Sequence, residues 1–248
     1  MEEQLLGTTL PVLSISLSPG ESVVAEAGEF SWMTDSIQMS TGMGGAGGSG
    51  IVGALQRTAG GSSVFLSTYT ATDSAGTIAF AAKLPGSILG IDVGAAQEYL
   101  VHRHGFLAGT AEIEISAGFQ QSFSAGIFGG EGFVLRRVAG QGRAWIELSG
   151  EVVRYDLAAG QSLRAHPGHV GMFAASVPFQ VMRVPGVTNR YFGGNAHHFA
   201  VLSGPGAVWL QSMPLPVLAA SLAPYLPRAQ AGRSDNDVVG GIVGDLLR

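Results

Sequence analysis

The chain has 248 residues, 46% of them hydrophobic and 12% charged, with 38 glycines and no cysteine. Its 13 Lys and Arg against 18 Asp and Glu give a formal charge of −5, and Lys83 is the only lysine. That excludes a phosphate-backbone binder working through clustered cations, and also disulfide frameworks, thiol nucleophiles and Cys-rich metal sites.

Soluble domains usually carry about 25% charged residues, so part of this surface is expected to be covered by another chain. The N-terminus, Met1-Glu2-Glu3-Gln4, is acidic and no apolar stretch follows it, which argues against a signal or transit peptide. No apolar run approaches the roughly 18 residues of a membrane-crossing helix. The expectation is a soluble, cytoplasmic protein.

Leu13 to Leu17 alternates strictly and runs into Pro19-Gly20, a strand followed by a turn. Val64 to Thr70 and Thr77 to Ala81 flank Asp73-Ser74-Ala75-Gly76 and read as a hairpin. Ala111 to Ile115 alternates again. Val134 to Val138 and Arg143 to Leu148 flank Ala139-Gly140-Gln141-Gly142 and read as a second hairpin. Ser149-Gly150-Glu151 turns into Val152 to Leu157. Turn residues about every 8–12 positions predict an all-β sandwich or barrel. Met213 to Leu226 holds Pro214, Pro216 and Pro224, so at most a short helix fits there. Residues 228–237 are small and polar and read as a linker. Over 238–248, Val238, Ile242 and Leu246 share one helical face. This predicts a short helical tail, either frayed or docked.

One pattern occurs three times without gaps: glycine, a large apolar residue thirteen positions on, then Ser or Thr three further. The copies are Gly20, Met33, Ser36; Gly94, Leu107, Thr110; and Gly160, Phe173, Ser176. Such a period means one supersecondary unit built three times over. It predicts a single β domain over 1–227, with units starting near 13, 84 and 152.

Residues 42–61 match Gly-x-Gly-x-x-Gly twice, at Gly42, Gly44, Gly47 and at Gly48, Gly50, Gly53. The surroundings lack the strand and long helix that a dinucleotide site needs, so the run reads as a Gly-rich connection. His102-Arg103-His104 is expected to place two imidazoles on one strand face. His166-Pro-Gly-His169 and His197-His198 are further pairs. A catalytic zinc usually takes three protein ligands. Superposed repeats put Glu26 over His166, and Glu29 over Arg103 and His169, and this mixed chemistry argues against a shared metal. The main reading is ordinary hydrogen-bonded histidines; a metal site drawing on His102, His104, His166 and His169 is the alternative. No Gly-x-Ser-x-Gly elbow occurs. Glu112 and Glu114 read as a solvated strand edge, and Trp32, Trp145 and Trp209 as core or interface residues. The sequence nominates no catalytic residue and no cofactor.

The run Gly126-Ile127-Phe128-Gly129-Gly130-Glu131-Gly132 resembles the signature of the altered-inheritance-of-mitochondria protein 24 family. Pro19-Gly20-Glu21, Leu84-Pro85-Gly86, Gly204-Pro205-Gly206 and Trp209-Leu210-Gln211-Ser212 follow the family's order over roughly residues 10–220. The resemblance implies a β-sandwich or double-stranded β-helix like that of the tryptophan RNA-binding attenuation protein. It also implies oligomers without an established enzymatic activity, the signature glycines, Phe128, Glu131 and Pro205 being structural. The expected function is a non-enzymatic scaffold or binding protein that forms homo-oligomers and meets an unidentified protein partner. One alternative is a small-molecule or metal-binding sandwich, including a cupin-like enzyme. Another is a membrane-surface organiser acting through the tail.

Overall fold

Frequent glycines cut this chain into short strands, and the strands fall into three sets of six. The computed structural model describes residues 1–41, 66–121, 132–183 and 198–225. After β1 (Glu2–Leu6), the first module holds β2 (Val12–Leu17), β3 (Ser22–Glu26), β4 (Trp32–Met33), β5 (Ile37–Thr41), β6 (Leu66–Ala71) and β7 (Gly76–Ala81). The second holds β8 (Gly86–Val93), β9 (Tyr99–His102), β10 (Phe106–Thr110), β11 (Ile113–Gln121), β12 (Phe133–Gly140) and β13 (Gly142–Ser149). The third holds β14 (Val152–Leu157), β15 (Ser162–Ala165), β16 (Val170–Ala174), β17 (Phe179–Arg183), β18 (His198–Ser203) and β19 (Gly206–Gln211).

All pairings are antiparallel, and one scheme recurs in each module. The first strand pairs with the sixth: β2 with β7, β8 with β13, β14 with β19. The third also pairs with the sixth, as in β4·β7, β10·β13 and β16·β19. The fifth pairs with both the fourth and the second, as in β12 with β11 and β9. Each module is thus a small sandwich of three strands on three. Neighbouring modules join edge to edge, β10 lying beside β3 and β16 beside β9. The joins give two six-stranded sheets, β5-β6-β3-β10-β13-β8 and β11-β12-β9-β16-β19-β14. A four-stranded sheet, β1-β2-β7-β4, and a three-stranded sheet, β15-β18-β17, remain at the two ends of the series.

Three apolar cores lie between these sheets. The first gathers Leu13, Ile15, Tyr69, Phe80 and Trp145. The second gathers Val101, Phe106, Val138, Ile146 and Leu148. The third gathers Leu135, Phe173, Leu202 and Val208, with Phe179 stacked on Phe173 at 5.1 Å. Strand β13 feeds two cores, Trp145 entering the first while Ile146 and Leu148 enter the second. Its last six residues are all buried. A strand covered on both faces loses the polar-out alternation of a one-sided sheet.

Both expected hairpins are corrected by the pairing. β6 and β7 belong to different sheets, and so do β12 and β13. The turns between them are arches that cross from one face of a sandwich to the other. A short Gly-rich turn serves either geometry, and burial decides here: the facing strands both carry apolar side chains into the space between sheets. Gly140 shows why the second arch needs glycine. Its φ is 99°, and a Cβ there would stand 2.1 Å from the Glu112 carbonyl oxygen.

The chain divides into two compact units, Met1–Val217 and Leu218–Arg248. Helix α1 (Leu215–Leu222) crosses that boundary, with Pro216 in its first turn, where a missing N–H costs nothing. The linker expected over 228–237 and the tail over 238–248 lie outside the described residues, as does the glycine-rich run 42–61.

Candidate functional site

Three of the four buried polar residues among the described ones, Glu147, Ser149 and Gln211, sit where one module hands over to the next. Two of them, Glu147 and Gln211, are only 5% and 4% exposed. They occupy the same place in successive modules, each five residues after the glycine that opens its strand (Gly142 and Gly206) and two after a tryptophan. At the first seam the Glu147 carboxylate accepts from the backbone N–H groups of Lys83 and Leu84, at 2.8 and 3.3 Å. Those amides belong to the connection between modules. The Glu147 carbonyl accepts from His102 Nε2 at 3.2 Å. At the second seam the Gln211 Oε1 accepts from Ser149 N–H at 3.0 Å, and its Nε2 donates to the Gly168 carbonyl at 3.2 Å. The Gln211 carbonyl accepts from His169 Nδ1 at 2.8 Å. In both seams one buried side chain holds the connecting backbone and a histidine closes over the carbonyl behind it.

Ion pairs reinforce the first seam. Arg136 on β12 reaches Glu26 on β3, and Lys83 in the connection reaches Glu29. Burial pushes the carboxyls of Glu147 and Glu26 above the usual range; the amides of Lys83 and Leu84 oppose this at Glu147, and Arg136 opposes it at Glu26. Burial pushes His102 down to about 4, with a smaller opposing effect from its bond to the Glu147 carbonyl. His104 is lowered chiefly by burial and next by the Arg103 charge.

The equivalence of Glu147 and Gln211 yields a prediction. Glu147→Gln keeps the acceptor oxygen and is expected to change stability by less than about 0.5 kcal/mol at pH 7. Glu147→Ala leaves two amides without an acceptor and is expected to cost about 1–3 kcal/mol. Urea denaturation of both variants checks this. Equal losses would show that the seam does not depend on the acceptor.

A second contact fixes the N-terminal strand. Glu3 on β1 accepts from Arg143 Nη2 and Nε at 2.6 and 2.8 Å, and from Trp145 Nε1 at 2.6 Å. The guanidinium, ahead of the indole N–H, holds the Glu3 carboxyl below its usual range. Arg143 also reaches Asp92 at 3.0 Å.

β9 ends at His102, so His104 stands in the following turn, and the two do not share a strand face as the sequence suggested. His166 caps the 3-10 turn Pro167–His169, its Nδ1 accepting from Gly168 N–H at 3.3 Å. The His166 and His169 rings stand edge to face, 5.9 Å apart. His198 opens β18, and His197 lies outside the described residues. Among the described residues no group of three or more His, Asp or Glu side chains is placed to hold a metal ion.

Of the family-signature positions, Gly126, Phe128, Gly129, Gly130 and Glu131 lie outside the described residues. Gly132 has a φ of 76° and leads into β12. The Gly204–Pro205 bond is cis, and Gly206 begins β19 with a φ of 149°. Glu112 and Glu114 are exposed. The tryptophans divide: Trp145 is buried, Trp209 is half-buried against Tyr99, and Trp32 stands in solvent. Leu5, Leu6 and Leu10 are also exposed large apolar residues. Among the described residues no helix is long and apolar enough to cross a membrane.

Small antiparallel sandwiches joined edge to edge, with buried polar side chains tying the seams, define an all-β modular protein. The chain belongs to the family described as Mitochondrial biogenesis AIM24, whose pattern matches residues 4–213. It is 28% identical over 225 residues to the uncharacterized protein M6_Spy0233 of Streptococcus pyogenes serotype M6, an alignment covering 88% of this chain and 87% of that one. The fold is similar to the crystal structure of protein SPYM3_0169 from Streptococcus pyogenes, with a TM-score of 0.71 and 22% identity. That match covers 91% of this chain and 99% of the other.

Proposed function

We propose that this protein is a non-enzymatic scaffold or binding protein that works as a homo-oligomer, with a sandwich assembly like that of the tryptophan RNA-binding attenuation protein. The carrying observation is the set of exposed large apolar side chains, Leu5 and Leu6 on β1, Leu10 after it and Trp32 on β4. Apolar surface of this kind on a chain with so little charge fits an interface between proteins. The polar side chains agree with that reading. Glu147, Gln211, His102 and His169 all bond backbone groups at the seams, so they hold strands rather than face a substrate.

Size-exclusion chromatography with light scattering tests the assembly. At micromolar concentration the mass is expected to be a multiple of the 25.5 kDa chain. A strict monomer over that range removes the reading.

A further inference from the structure

The chain makes one kind of edge-to-edge junction twice, and it carries both halves of a third that it does not make. In each internal junction the second strand of one module pairs with the third strand of the next: β3 with β10, and β9 with β16. Two strands of these types are left over. β15 is the second strand of the last module and lies at the edge of its three-stranded sheet. β4 is the third strand of the first module and lies at the edge of its four-stranded sheet. Among the described residues the free side of neither strand is paired, and the two are not paired with each other.

Burial follows the same division. β10 and β16 are buried along their first four residues, whereas β4 is exposed at Trp32 and its flank, Thr34 and Asp35, is exposed as well. Trp32, Phe106 and Met172 stand twelve residues after Gly20, Gly94 and Gly160. Phe106 and Met172 are 1% and 0% exposed, and Trp32 is 55% exposed. β4 is also two residues long where its counterparts are five, as expected of a strand without a partner. On the other side, Arg164 on β15 is exposed, whereas Val24, at the same place in β3, is 1% exposed.

The register of the missing junction can be read from the two that exist. Counted from the same glycines, the fifteenth residue of one module stands opposite the fourth of the module before it. Gly109 stands opposite Val24, and Ala175 N–H donates to the Glu98 carbonyl at 2.8 Å. At the third junction this rule places Asp35 opposite Arg164. Among the described residues neither has an ion-pair partner. Opposite charges directly across an antiparallel pair stabilise it, and like charges weaken it.

We propose that β15 of one copy lies antiparallel beside the residues that follow β4 in a second copy, Thr34 to Ile37, continuing head to tail the junction made twice within the chain, with Arg164 facing Asp35. This rests on the homo-oligomer reading and names the surface that carries it. An unpaired edge flanked by an exposed tryptophan is a template for another strand. A second copy supplies the matching register and the opposite charge together. Because the two halves differ, the contact is heterologous: it makes a ring if the rotation closes and a filament if it does not.

The absence of native cysteine makes the test direct. Residues opposite each other on paired antiparallel strands have Cα atoms about 5.5 Å apart or less, within reach of a disulfide. Purified Asp35→Cys and Arg164→Cys proteins are mixed and mildly oxidised. A disulfide-linked dimer is expected in the mixture and not in either protein alone. Pairing Asp35→Cys with Val153→Cys, an exposed position on another strand, is expected to give none. Charge reversal provides a second measurement without thiols. Asp35→Arg is expected to weaken assembly about 5-fold, and adding Arg164→Asp to the same chain to restore it. No linked dimer and no charge-swap rescue, from a wild type that light scattering shows to be oligomeric, would overturn this interface while leaving the oligomer reading intact. A linked species of single-chain mass from the Asp35→Cys/Arg164→Cys double variant would also overturn it, because the chain would then close on itself. A monomeric wild type would sink both.

Discussion

Replacing Trp145 by alanine is expected to remove about 3–5 kcal/mol of folding stability, the range for truncating a large buried aromatic. The indole is 2% exposed and lies in the first core, although its strand belongs to the second module. It also donates to Glu3 and so holds β1. Trp145→Phe separates the two roles. The phenyl ring keeps most of the packing, and Glu3 keeps both bonds to Arg143, so this variant is expected to lose only about 1–2 kcal/mol. Urea unfolding gives both numbers. A loss below about 1 kcal/mol for Trp145→Ala would mean that the first and second modules are not tied through this side chain.

Acid is expected to weaken the first seam through His102. Its pKa is pushed down to about 4 in the folded chain, against an ordinary value of 6.5. Between those values the unfolded chain binds more protons than the folded one, so stability falls as pH drops. The contribution is fully present above about pH 6.5 and is lost progressively down to about pH 4. Linkage puts the loss at up to about 3 kcal/mol. Glu147 and Glu26 act in the opposite sense, because burial raises their carboxyls and their ionisation weakens the fold as pH rises. The informative quantity is therefore a difference between variants. His102→Gln keeps a donor toward the Glu147 carbonyl and cannot titrate. From pH 7.5 to pH 4.5 the wild type is expected to lose more stability than His102→Gln by up to about 3 kcal/mol. Parallel pH profiles would show that His102 is not the titrating group.

The all-β class and a minority of the strands, β2, β11 and β14 among them, were legible in the sequence because glycine, proline and alternation mark them locally. Leu13 to Leu17 is such a segment, and it is β2. Pairing was not local. The Gly140-Gln141-Gly142 turn fits a hairpin and an arch equally well, and only the cores on either side of β13 decide between them. β1 was invisible because Glu2 to Gln4 has the composition of a solvated end, and its anchor is a carboxylate–indole contact with a distant strand. Glu147 takes a polar place in the alternating run Ala144 to Leu148, yet a second sheet covers that face. A signal for it did exist in the sequence: Trp145-Ile146-Glu147 aligns with Trp209-Leu210-Gln211, and a repeated polar residue two positions after a repeated tryptophan marks a shared structural duty. The His102–His104 pair failed because a two-residue spacing defines a common face only while the strand continues, and β9 stops at His102.

Glu3 and Arg143 are 140 residues apart in the chain. A ribosome must therefore add 140 residues after Glu3 before β1 meets its clasp. β1 pairs with β2 close by in the chain, but its clasp to β13 is a long-range contact of the kind that forms slowly. The pair of β1 and β2 thus waits for its side-chain clasp, and during that interval a growing copy is open to capture by chaperones or by its siblings on the same message.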